Sequence, residues 1–257
     1  MNEHATEAGR AAAHAREGEQ LALFVEKKKR GGKRRGAGRP PKGERAGARH
    51  KRRPFHDAQH PVHVVLRVVK AVGNLRRRRT YQAIRAATRV AARRGDFRIV
   101  HLSIQRTHVH LLIEARNKVA LAAGMQGFQI SAAKHLNAAV SKGRPGPRRR
   151  GAVFPDRYHA VVIGSPRQAR HALSYVINNW RKHAEDRGEF TRLWDIDWYA
   201  SGAMFAGWRE QEREGFAWSR PPELDPLVIS APRTWLLRKG WKQHGAISCR
   251  EVPSSAK

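Results

Sequence analysis

The chain has 257 residues, enough for one large domain or for one domain with appendages. It carries 52 Lys+Arg against 21 Asp+Glu, a formal net charge of +31. That excess is far beyond what solubility requires and points to a polyanionic partner, most simply nucleic acid, while 40% hydrophobic residues exclude wholesale disorder.

In chain order, the first unit is compositional. Residues 25–53 hold 14 Lys/Arg and two Glu, with almost no apolar side chains. Such a stretch cannot offset its ordering entropy, so residues 1–60 read as a disordered basic arm. Within it, Gly38-Arg39-Pro40-Pro41-Lys42-Gly43 resembles the core of an AT-hook, which lays an extended Arg-Pro segment along a narrow A·T minor groove. A plain basic linker is the competing reading, because Ala37 stands where a hook has arginine.

Order is expected from Pro61. Residues 62–72 are β-branched and apolar and predict a strand. Thr80 can cap a helix over 81–94, with Ile84, Ala87, Val90 and Ala91 on one face and Arg85, Arg89 and Arg93 on the other. Residues 97–105 alternate as a second strand, Arg106-Thr107 is a tight connection, and 108–114 form a third strand. Residues 119–140 read as a helix weakened by Gly124 and Gly127. A basic loop over 141–151 leads to a fourth strand at 157–163. Ser165-Pro166 is an N-cap followed by proline at the first helical position, opening a helix through Tyr175 and Trp180 to about Asp186. This β-α-β-β-α-β-α order predicts an α+β fold: a ferredoxin-like antiparallel sheet with helices packed on one face, plus one further helix. The domain division expected is a basic arm at 1–60, the α+β domain at 61–187 and a Trp-rich extension at 188–257. Trp194, Trp198, Trp208, Trp218, Trp235 and Trp241 all fall in that extension. They read as the core of a small appendage, or alternatively as stacking platforms for unpaired bases.

One cysteine, Cys249, excludes an internal disulfide and a cysteine-rich zinc site. No apolar run approaches the ~20 residues of a membrane span, and the first residues lack a signal-peptide pattern. The expectation is a cytoplasmic, nucleoid-associated bacterial protein. Its sharpest chemical feature is Thr107-His108-Val109-His110-Leu111-Leu112-Ile113-Glu114. On a strand, His108 and His110 project from the same face, close enough to share one metal ion, while Val109, Leu111 and Ile113 enter the core. The bland reading is two histidines on a solvated sheet face. The second feature is Tyr175 and Asn179, four apart on a capped helix and therefore on one side of it. A phenol there could be a nucleophile and the amide oxygen a metal ligand, although a half-buried structural tyrosine is the commoner case.

Together these features resemble the HUH single-tyrosine (Y1) transposases, the IS200-like group and the REP-associated tyrosine transposases. The resemblance is carried by "THVHLLIEA", "DRYHAVVI" and "SPRQARHALSYVINNWRKH" and covers roughly 61–187. It departs from relatives that carry Asn-Pro after the tyrosine, since Trp180 follows Asn179 here. The resemblance implies a divalent ion, Mg²⁺ or Mn²⁺, held by His108, His110 and Asn179. It implies that Tyr175 attacks a phosphate of single-stranded DNA, forming a 5′-phosphotyrosine link and releasing a 3′-OH for rejoining. A metal-bound phenolate and His183, further along the same helix, are both options for managing the tyrosine proton. Tyr81, Tyr158 and Tyr199 are poorer nucleophile candidates.

The basic runs Arg76, Arg77, Arg78, Arg79 and Arg148, Arg149, Arg150 are then expected on DNA phosphates. The implied partners are single-stranded or hairpin DNA and a second copy of the chain as a homodimer. Two other readings stand beside the transposase. One is a non-catalytic, domesticated DNA-binding protein. The other is an HUH nickase of plasmid replication or transfer, which more often has a second tyrosine in the active helix.

Overall fold

The computed structural model describes residues 56–188, 191–212, 218, 221 and 224–254. Arg39 and its hook-like motif lie outside the described residues. Four strands, β1 (Val62–Arg67), β2 (Phe97–Ile104), β3 (His108–Ala115) and β4 (His159–Val162), form one sheet in the order β2-β3-β1-β4. All neighbours are antiparallel. This is the ferredoxin-like arrangement the element order predicts. Long helices follow as α1 (Arg78–Ala91), α2 (Lys118–Ser141) and α3 (Pro166–Lys182), and a single turn, α4 (Trp235–Arg238), lies near the end. Among the described residues no helix is long and apolar enough to cross a membrane.

Pairing sets where the elements stop. The apolar run after Pro61 continues to Val72, yet β1 ends at Arg67, which pairs with His108, the first residue of β3. The chain then turns through a 3-10 turn, Lys70–Val72, and Gly73, whose φ of 76° is a left-handed value that suits glycine. Helix α1 begins before Thr80, not after it. Thr80 sits in the first turn, where its hydroxyl accepts from the Arg77 N–H at 3.4 Å.

The strand register divides the sheet into two faces. Val62, Val64 and Leu66 of β1 lie beside Ile113, Leu111 and Val109 of β3, all fully or almost fully buried. Their alternates are His63, Val65 and Arg67 beside Leu112, His110 and His108. Strand β2 would break this division, because strict alternation from Phe97 and Ile99 puts His101 on the apolar side. A bulge between Ile99 and His101 corrects the phase. Leu102 and Ile104 then join the apolar face opposite Leu111 and Val109, while His101 and Ser103 turn to the histidine face.

Helices α1 and α2 pack side by side over the apolar face. Asn117 caps α2 by accepting from the Ala120 N–H at 2.9 Å. Gly124 lets α2 approach β2, since a Cβ there would lie 2.1 Å from the Phe97 ring. The further helix, α3, crosses the histidine face. Ser165 caps it by accepting from the Gln168 N–H, and Pro166 occupies its first position.

The C-terminal segment completes the histidine face. Ile196, Trp198, Trp208, Trp241 and Ile247 are buried in the same apolar cluster as the sheet. Polar contacts tie it down as well. The Glu114 carboxylate, 2% exposed, accepts from the Arg233 N–H, the Thr234 N–H and the Thr234 hydroxyl at 2.8 Å each. Ser201 Oγ lies 2.9 Å from His101 Nδ1 and accepts from the Leu102 N–H at 3.0 Å.

Candidate active site on the histidine face

Helix α3 presents two stripes. Arg170, Ser174, Asn178 and Arg181 recur at helical spacing and face the C-terminal segment. Arg170 holds Glu251 through two hydrogen bonds of 2.8 and 2.7 Å, and the Ser174 hydroxyl donates to Glu251 at 2.6 Å. Asn178 Nδ2 donates to the Ser248 carbonyl and Arg181 Nε to the Cys249 carbonyl. These bonds fix the helix against the body of the protein, with Tyr175 turned towards His110 of β3 and His63 of β1.

Tyr175 arrives edge-on to two imidazoles. Its ring centroid is 5.2 Å from that of His110 and 5.7 Å from that of His63. His108 and His110 are 4.7 Å apart at 82°, and His183 approaches His108 edge-on at 5.6 Å. The Lys182 ammonium stands 4.9 Å from the centre of the Tyr175 ring. The paired histidines and the tyrosine, 65 or more positions apart in the chain, therefore share one patch.

The electrostatics of the patch favour neutral imidazoles. Burial lowers the His110 pKa to about 2, reinforced by the neighbouring His63, His108, His183 and Lys182. His108 falls to about 4, again through burial first and then His183 and Arg67. His63 falls to about 4 through burial and His159. Neutral nitrogens with available lone pairs are what a metal ion requires. The Tyr175 pKa is raised by burial.

Two of the site residues are buried without partners, His110 in this patch and Asn179 one turn beyond Tyr175 on α3. His110 Nε2 has no hydrogen bond, and Asn179 is the side chain whose Nδ2 and Oδ1 are both unpaired among the described residues. Buried polar atoms are normally paired, so such orphans mark a place where a ligand would complete the structure. Two imidazole nitrogens and an amide oxygen are a donor set a divalent ion can use. Among the described residues no three His, Cys, Asp or Glu side chains form a metal-ligand group. Of the ligand set read in the sequence, the member that is not an imidazole is the amide of Asn179.

Other residues singled out in the sequence have different surroundings. Tyr81 donates its hydroxyl to the Asp225 carbonyl, and Tyr199 lies under the Arg76 guanidinium at 4.5 Å. Arg76 itself is not on the surface. Its side chain is 4% exposed and forms a two-pronged pair with the buried Asp197 at 2.8 Å. Arg77, Arg78 and Arg79 are exposed, as are Arg148 and Arg150. Arg149 instead holds its own loop, donating to Asn137 and to the Ala152 carbonyl. The two basic runs adjoin, because Arg79 donates to the Lys142 carbonyl at 2.7 Å. A cleft of about 710 Å³ opens among Arg78, Arg106, Glu185 and Trp194, lined by none of the histidines or Tyr175. His63 was missed in the sequence: a single histidine in an apolar strand carries no signal until β1 is registered against β3.

Residues 57–179 match the model of the family described as IS200-like transposase. Among solved structures, the chain is similar to a REP-associated tyrosine transposase bound to a REP hairpin, at 17% identity and a TM-score of 0.38, covering 53% of this chain and 74% of that one. It is also similar to a protein from Deinococcus radiodurans assigned as a transposase, at 12% identity and a TM-score of 0.33, covering 55% and 97%. No curated protein matches the chain.

Proposed function

We propose a mechanism for this chain from the premise that it belongs to the IS200-like transposase family through residues 57–179. Its substrate is single-stranded DNA, presented beside a hairpin, and its nucleophile is Tyr175. The observation that carries this reading is the Tyr175 ring 5.2 Å from His110, whose Nε2 is buried and unpartnered.

The Tyr175 oxygen attacks phosphorus as the bond to the 3′-oxygen breaks. The phenol loses its proton, the departing 3′-oxygen gains one, and the 5′ side remains linked to tyrosine. A phosphodiester is exchanged for a phosphotyrosine of similar energy, so the step reverses when another 3′-OH attacks. Burial raises the Tyr175 pKa, which makes deprotonation the demanding part. Lys182 puts one positive charge where both phenolate and phosphate carry negative charge. His108, His110 and Asn179 are the residues that would hold Mg²⁺ or Mn²⁺. Such an ion, when bound, withdraws charge from the phosphate oxygens and orients the phosphorus. Exposed Arg77, Arg78, Arg79, Arg148 and Arg150 hold flanking phosphates, which makes binding steeply salt-dependent.

The test is a labelled hairpin oligonucleotide with a single-stranded flank, incubated with Mn²⁺. The wild-type chain is expected to run as a covalent adduct on a denaturing gel, and Tyr175→Phe to bind without forming one. An adduct persisting in Tyr175→Phe would remove Tyr175 as nucleophile. Binding without any adduct in the wild type would leave a DNA-binding protein without catalysis.

A further inference from the structure

We infer that His63 is a positioning residue that selects the tautomer of His110 and thereby aims His110 Nε2 as a metal ligand; this rests on the metal-assisted reading above. The structural basis lies in the register. Val65 is the direct partner of His110 on β3, and His63 is two residues away along β1, so His63 and His110 are diagonal neighbours on one face. A diagonal pair is within reach only for long or aromatic side chains. Here His63 Nε2 lies 3.1 Å from His110 Nδ1. The rings are 23° from coplanar with centroids 5.2 Å apart, as an in-plane nitrogen-to-nitrogen contact requires.

Only one of these two nitrogens can donate, and the alternatives differ in their consequences. If His63 Nε2–H donated, His110 would carry its own proton on Nε2. That N–H would then be buried without an acceptor. If His110 Nδ1–H donates, Nε2 bears a lone pair and points it into the patch. Either tautomer leaves Nε2 unpaired while no ion is bound, but only the second leaves a lone pair there, which an ion can take up. A metal-binding imidazole usually has its other N–H held by an acceptor, and loss of that acceptor weakens ion binding by about 10–100-fold. His63 supplies the acceptor from a strand that carries none of the residues of the paired-histidine motif. It also meets the edge of Tyr175 at 5.7 Å, so the same ring limits where the nucleophile can stand.

The experiment uses the full chain and Mn²⁺ as the probe, with binding read by electron paramagnetic resonance in the absence of DNA. His63→Phe keeps an aromatic ring but removes the acceptor. It is expected to raise the Mn²⁺ dissociation constant about 10–100-fold, with the metal-free thermal midpoint unchanged within a few degrees. His63→Gln, whose amide oxygen can accept, is expected to recover most of that loss. Nitrogen-15 NMR of the metal-free wild type is expected to show His110 protonated on Nδ1. Equal Mn²⁺ affinity in the wild type and His63→Phe, or a His110 proton on Nε2, would overturn the assignment while leaving the metal reading standing. A wild-type chain that binds no Mn²⁺ would overturn both.

Discussion

The two faces of the sheet are made by alternate residues of the same strands and are closed in different ways. Val62, Val64, Leu66, Val109, Leu111 and Ile113 are sealed by α1 and α2, and the only requirement there is shape. The opposite face carries His63, His101, Ser103, His108, His110 and Glu114, and closing it requires hydrogen-bond partners. That second face divides again. Towards the C-terminal segment most polar groups are satisfied, Glu114 by Arg233 and Thr234 and His101 by Ser201, with Asn178 Oδ1 an exception. Towards Tyr175 they are not, since His110 Nε2 and both polar atoms of Asn179 are left over. The difference separates the part of the face that is closed by its own hydrogen bonds from the part where the proposed ligand would complete them.

The largest expected effect belongs to the apolar face. Leu111 is fully buried, and Leu111→Ala removes packed methyl groups and leaves a cavity. The expected loss is about 2–5 kcal/mol, read from urea unfolding midpoints. Mn²⁺ binding by the fraction still folded should be unchanged, because the side chain points away from the histidines. A Leu111→Ala protein with normal stability but impaired ion binding would break the division between the faces.

A smaller effect tests the satisfied half of the polar face. His101 is buried, and its pKa falls from 6.5 to about 4 through burial. The folded state therefore prefers the neutral ring. The stabilisation from this group is complete above pH 6.5 and is lost as pH falls from there through 4, by about 3 kcal/mol in total. His63, His108 and His110 add to acid lability in the same direction. His101→Gln separates them, since glutamine can pair with Ser201 but does not titrate. The stability difference between wild type and His101→Gln should shrink steadily from pH 7 to pH 4. A difference independent of pH would mean that His101 is not held neutral.

How much of this was legible in the chain differs by residue. The element order follows from local patterns, and with it the ferredoxin-like sheet. His108 and His110 declare their shared face through strand alternation, and Tyr175 and Asn179 through helical spacing. What escapes local reading depends on distant partners. Arg76 is indistinguishable in sequence from Arg77, Arg78 and Arg79, and only Asp197, 121 positions later, draws it inside. His63 acquires meaning only from pairing across 47 positions. The bulge at Val100 is invisible because Phe97 to Ile104 scans as an ordinary apolar strand, yet it decides which face His101 occupies.

The smallest expected effect on stability gives the most direct test of the reserved half. Asn179 is fully buried, and its amide has no partner among the described residues. In a residue retained only for packing, that amide is a defect, and leucine, of similar size, should serve at least as well. Asn179→Leu removes the unsatisfied donor and acceptor and adds apolar contact, so the metal-free protein should be unchanged or more stable by about 1 kcal/mol. The same substitution should weaken Mn²⁺ binding by at least about tenfold, because it deletes the proposed third ligand. Calorimetric melts with and without Mn²⁺ read both quantities in one experiment, since an ion that binds only the folded state raises the midpoint. The wild type should gain stability on adding Mn²⁺ and Asn179→Leu should not. A metal-free Asn179→Leu protein that is strongly destabilised would place Asn179 in the satisfied half of the face. An unchanged Mn²⁺ response would move the third ligand elsewhere, with His183, edge-on to His108 at 5.6 Å, the next side chain to remove.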